Sequence, residues 1–103
     1  MLFNVTMIPI GAGDNLTEPI AAVVRRIADS GLSYQLTGTS TLIEGEWREV
    51  MPLLEACVNE LAERHPRVYA SITIDHHPGK TDRIREAVQN VEEALGREVR
   101  TEP

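Results

Sequence analysis

Hydrophobic positions along the 103-residue chain switch between two periods, and the switches mark its elements. Residues 2–10, LFNVTMIPI, alternate, with Phe3, Val5 and Met7 on one side and Asn4, Thr6 and Ile8 on the other, which predicts a strand. GAGDN breaks it. Ile20, Val23, Val24 and Ile27 then recur at helical spacing, behind Thr17 as candidate N-cap and Pro19 in the first turn. Gly31 suits the left-handed residue that ends such a helix. Two short strands are expected at 33–37 and 39–45, joined through Gly38 as a hairpin. From Glu46 onward Val50, Leu53, Leu54, Cys57, Val58 and Leu61 repeat with a helical period, up to Pro66, which disfavours helical geometry at His65. Pro52 falls in the opening turns of that helix, where it costs less than in the middle. Residues 67–75 alternate again, Val68, Ala70, Ile72 and Ile74 against Tyr69, Ser71 and Thr73. After the DHHPGK turn, Thr81 or Asp82 can cap a last helix with the stripe Ile84, Ala87, Val88, Val91 and Leu95, closed by Gly96.

The order β-α-β-β-α-β-α begins with the split βαβ pattern of the ferredoxin-like fold. The expected architecture is therefore α+β: one domain over residues 1–103, a ferredoxin-like βαββαβ sandwich with an extra C-terminal helix and antiparallel sheet order 4-1-3-2. Consistent crossover handedness places both crossover helices on one face. The other face is then expected to carry Asn4, Thr6, Ile8, Tyr69, Ser71 and Thr73, with Thr41 and Ile43 from strand three. Hydroxyls and amides at fixed spacing suit a planar heterocycle that needs a few directed hydrogen bonds. The same residues are also good strand formers on a half-wet surface. A third reading is self-association, with Ile8, Ile43 and Tyr69 packing against a second copy.

Glu44 ends the third strand beside a helix start, where the dipole stabilises a carboxylate without any ligand. As a functional group it could accept from an aminopyrimidine or offset a cationic ring. Strict alternation puts it on the Leu42 side, opposite Thr41. The hydroxyl set and Glu44 then share one surface only through a bend or a partner subunit. Trp47, at the helix start, reads as a packing anchor or as a stacking platform.

Charge and composition remove whole classes of function. With 16 acidic against 10 basic residues the net charge is −6, and no Lys/Arg stripe is present to neutralise phosphates, so nucleic acid is not an expected partner. The sign favours a cation among small ligands. The apolar runs are too short to cross a bilayer, and MLFNVTMIPI lacks a basic leader and cleavage site, so no membrane association and a cytoplasmic location are expected. Cys57 is the only cysteine, which excludes an internal disulfide and a thiolate cluster within one chain. Its place in the apolar pattern predicts a small buried hydrophobe.

His76 and His77, beside Asp75, point in different directions on a turn, with only His65 elsewhere, and read as a solvated turn with no metal site. No strand-turn-helix nucleophile elbow is present, and GAG lacks the later glycine and lysine of a phosphate loop. No catalytic residue and no cofactor are expected. The helix charges, Arg25, Arg26, Arg83, Arg85, Glu92 and Glu93, make solvated faces.

MIPIGAG, SGLSYQLTGTSTLIEGEW and RVYASITID together resemble the three signature stretches of the small thiamine-binding, YkoF-like family of bacteria and archaea. The likeness keeps order and spacing over nearly the whole chain, and the middle stretch is its specific part. The resemblance implies a ferredoxin-like domain assembled as a homotetramer, a dimer of dimers. It implies a non-enzymatic binder of thiamine or its hydroxymethylpyrimidine moiety, acting in uptake or salvage. Ligand contacts are expected in the middle signature, at Tyr34, Gln35, Thr37, Thr41 and Glu44; the open-face argument adds Thr6 and Ser71. The alternative from another class is a ligand-free regulatory or assembly module that uses the polar face for subunit packing. Two departures stand out. Gly38-Thr39-Ser40 replaces the Pro-Met-Gly common after YQLT, predicting a more flexible, more polar loop, and Thr73 stands where a lysine is common.

Overall fold

The computed structural model describes residues Met1–Pro103. Its elements are β1 (Leu2–Ile10), α1 (Thr17–Asp29), β2 (Ser33–Leu36), β3 (Thr41–Glu44), α2 (Trp47–Ala62), β4 (Arg67–Asp75) and α3 (Arg83–Leu95). The strands form one antiparallel sheet in the order β2-β3-β1-β4, the expected 4-1-3-2 read from the other edge.

Alternation in β1 decides which side is dry. Phe3, Val5 and Met7 are buried and pack with Val23 and Ile27 of α1 and with Val50, Leu54, Cys57 and Leu61 of α2, so both crossover helices cover one face. Cys57 is fully buried there, as its pattern predicts, and burial pushes its thiol pKa up to about 11, with Arg26 pulling down and Glu60 pushing up. Trp47 meets Phe3 edge-on, with ring centroids 5.9 Å apart, which is the packing-anchor reading.

Strand three is where the pattern reading needs correction. Phe3 pairs with Ile43 and Val5 with Thr41. Directly paired residues project to the same side of a sheet, so Thr41 and Ile43 face the helices and not the open face. Leu42 and Glu44 take the open side instead. No bend is required: the mismatch between Thr41 and Glu44 is real, and it is Thr41 that turns inward. The hairpin loop is also longer than expected, four residues in place of Gly38 alone, with β2 ending at Leu36 and β3 starting at Thr41.

The ends of the helices follow local chemistry, with two changes. Gly31 and Gly96 adopt φ of 79° and 80°, as a helix stop requires. Thr17 is the first helical residue and not its cap; the Asn15 side chain accepts from its N–H at 3.1 Å. Neither Thr81 nor Asp82 caps α3 by its side chain. The cap comes from across the fold: Glu44 Oε1 accepts from Ile84 N–H at 2.8 Å, and Arg83 bonds Asp75 at 2.9 Å. Both tie the start of α3 to the open side of the sheet, opposite α1 and α2. No residue of α3 is fully buried, and Val91 and Leu95 remain 55% and 53% exposed.

Candidate functional site: a hydroxyl-rimmed cavity beneath the hairpin loop

The two strands that should flank each other differ in length, and the difference makes a cavity. β1 runs nine residues, while β3 pairs only with Leu2 through Val5. Beyond Val5, the backbone of β1 has no ladder partner on the β3 side. The hairpin loop, residues 37–40, crosses this gap, and Thr6 donates its hydroxyl to the Thr39 carbonyl at 3.0 Å. Between loop, sheet and α1 lies a cavity of about 420 Å³.

Its floor is apolar, from Val5, Met7, Val23 and Ile27, while Thr6, Thr37, Thr39, Ser40 and Thr41 supply hydroxyls. No charged side chain lines it. Thr41 is the only polar or charged residue that is buried, at 6% exposure, and its hydroxyl makes no hydrogen bond within the chain. Its oxygen is not sealed off: the one buried side-chain N or O atom without a hydrogen-bond partner is Glu60 Oε2, and the Thr41 hydroxyl opens onto the cavity. Its position at a cavity wall gives it the one partner available, whatever occupies the cavity.

Thr37 plays a different part. Its hydroxyl bonds the Ser40 carbonyl at 3.1 Å and the Ser40 hydroxyl at 3.0 Å, and accepts from the Ser40 N–H at 3.0 Å. The loop is polar, as Gly38-Thr39-Ser40 implies, but those polar groups are used to brace one another.

The sequence-predicted residues thus divide into groups. Thr6, Thr37 and Thr41 meet at the cavity. Tyr34 and Gln35 line a separate cleft of about 380 Å³ between β2 and α3, with Ile84, Val88 and Gln89 opposite. Glu44 is engaged by the first turn of α3. Ser71 pairs with Thr6 across the sheet and is exposed on its open side. His76 and His77 sit in the stretch after β4, and no three His, Cys, Asp or Glu side chains come together in a metal-holding group. Pattern reasoning missed Thr39, Ser40 and the α1 wall of Leu16, Ile20 and Val24. The available signal was the width of the α1 stripe: Ile20 and Val24 extend it past what Val23 and Ile27 need to close the core.

Comparison with known proteins gives the family and the fold. The chain is 41% identical over 94 residues to a UPF0045 protein of Mycobacterium bovis, covering 90% of each. Among solved structures, a proposed thiamine biosynthesis/salvage protein from Thermotoga maritima is similar with a TM-score of 0.77 at 23% identity, over 87% of this chain and 96% of that one. A protein from Methanocaldococcus jannascii is similar with a TM-score of 0.76 at 19% identity, over 92% and 94%. At such identities these two show the fold alone. Residues 3–92 match the family model described as thiamine-binding protein, and the chain belongs to that family.

Proposed function

We propose that the chain binds thiamine or its hydroxymethylpyrimidine moiety, without catalysing a reaction on it, in uptake or salvage. The observation that carries this is the unpartnered hydroxyl of Thr41, on an otherwise buried residue, opening onto an uncharged cavity. An aminopyrimidine offers an exocyclic donor and ring acceptors. The hydroxyls of Thr39 and Thr41, which make no hydrogen bond within the chain, can meet them with the unpaired backbone edge of β1, while the apolar floor covers the ring. A volume of about 420 Å³ is within the range of small-molecule sites. Of the other candidates, Thr37 acts by holding the loop, Glu44 by holding α3, and Tyr34, Gln35 and Ser71 lie outside the cavity.

Titration calorimetry with thiamine and with hydroxymethylpyrimidine tests the reading: saturable heat for at least one is expected. Absence of heat for both at millimolar concentration, with the fold intact, refutes it. Appearance of a converted product by mass spectrometry refutes the non-enzymatic part.

The exposed apolar flank of α3 supports self-association alongside binding. With Tyr69 59% exposed on the open face as well, a homo-oligomer, a tetramer built as a dimer of dimers, is the expected state. Light scattering on purified protein checks it, and a monomer at all concentrations overturns it.

A further inference from the structure

The cavity is one half of a longer groove. A second hollow of about 660 Å³ runs along the outer flank of α1 and shares Leu16, Ile20, Val24 and Leu36 with the first. The shared wall is unusually open for apolar side chains: Leu36 is 52% exposed and Ile20 38%. The halves differ in charge. The inner one has no charged lining residue, whereas the outer one has Asp14, from the loop before α1, and Arg25, from within the helix. Neither takes part in an ion pair. At 1.5 Å per residue, Arg25 lies about 12 Å along the axis from Thr17, so the two charges sit toward opposite ends of the hollow.

We propose that the outer hollow is a subsite for the cationic ring of the ligand and that Asp14 is the residue selecting it. The inference rests on the pyrimidine reading of the inner cavity and adds the second half of the molecule to it. Thiamine joins a neutral aminopyrimidine to a permanently charged thiazolium through one methylene. A fixed cation gains nothing in the inner cavity, where no counter-charge offsets its desolvation. In the outer hollow it stays partly hydrated, covers Leu16, Ile20 and Leu36, and is attracted by the Asp14 carboxylate. Arg25 repels it from the far end, which confines it to the Asp14 end. Free hydroxymethylpyrimidine needs only the inner half.

The test is calorimetric titration of the native chain, Asp14→Asn and Asp14→Lys with thiamine and with hydroxymethylpyrimidine, at low and at high salt. Asp14→Asn is expected to weaken thiamine about two- to fivefold, the amount a partly exposed charge pair supplies, and Asp14→Lys to weaken it further. Hydroxymethylpyrimidine binding should be the same for all three proteins. High salt should reduce the native chain's preference for thiamine, and should not reduce that of Asp14→Asn, in which only the Arg25 repulsion is left to screen. Equal weakening of both ligands overturns the subsite, because a structural role for Asp14 moves both. Unchanged thiamine binding in both variants also overturns it, while leaving the inner cavity intact. If the native chain binds neither compound, the cavity reading fails and the subsite with it.

Discussion

Thr41→Val keeps the branched shape of the side chain at the inner end of β3 and removes only its hydroxyl. The residue is buried, but its hydroxyl has no partner in the chain and opens onto the cavity, so only part of the cost of about 1–3 kcal/mol for an orphaned hydroxyl applies in the free protein. Water reaching the cavity offsets part of this cost, which puts the expected gain in stability from the substitution at about 0.5–1 kcal/mol. For a domain of this size that is a rise in Tm of roughly 2–8 °C. Val also suits a strand at least as well as Thr. Binding should move the other way. Loss of one hydrogen bond to a neutral ring costs about 0.5–1.5 kcal/mol, a two- to twelvefold weakening of both thiamine and hydroxymethylpyrimidine. Thermal denaturation followed by calorimetry on the same preparation reads both numbers. A less stable variant would mean that the hydroxyl is satisfied inside the protein. An unchanged Kd in a more stable variant would remove Thr41 from the site and with it the main support for the cavity.

Glu44→Ala should cost about 1 kcal/mol through loss of the α3 cap, with Glu44→Gln recovering part of it, and hydrogen exchange should show α3 deprotected while β1 is unchanged; equal deprotection of both elements would refute a local role. Gly38→Ala should stabilise by about 0.4–1 kcal/mol, because Gly38 is outside the left-handed region and a Cβ there meets nothing; a lower denaturation midpoint would refute this. Gly45→Ala should destabilise, since a Cβ would lie 2.9 Å from Val50 Cγ2 where β3 turns into α2, and an unchanged Tm would show that the junction relaxes freely. For Cys57 the folded-state pKa of about 11 lies above the ordinary 9.0 because burial disfavours the thiolate. The native state then holds a proton that the unfolded state releases, so this contribution to stability is whole below about pH 9 and is lost as pH rises toward 11. Chemical denaturation across that window, comparing the native chain with Cys57→Ala, should show the steeper fall only when the thiol is present.

Periodicity alone determined a good deal of this protein. The alternation of β1 and β4, the helical stripes of α1 and α2 and the glycine stops are local properties of consecutive residues. With the handedness of the crossovers they suffice for element order, sheet order and the single-face placement of the first two helices. The burial of Cys57 followed from the same stripe. Strand three was not decided locally. TLIE offers Thr41 and Ile43 to one side and Leu42 and Glu44 to the other with little to choose between them, and only the pairing of Val5 with Thr41 and Phe3 with Ile43 fixed which side is dry.

The rest of the site is tertiary for the same kind of reason. A cavity beside β1 exists because β3 stops short of it, a difference in strand length that no single stretch of sequence expresses. Glu44 looked free in sequence because its partner, the Ile84 N–H, is forty residues away. The hydroxyls of YQLTGTSTLIEGEW were legible as chemistry, but their division among a cavity wall, a loop brace and a helix cap depended on contacts between elements distant in the chain.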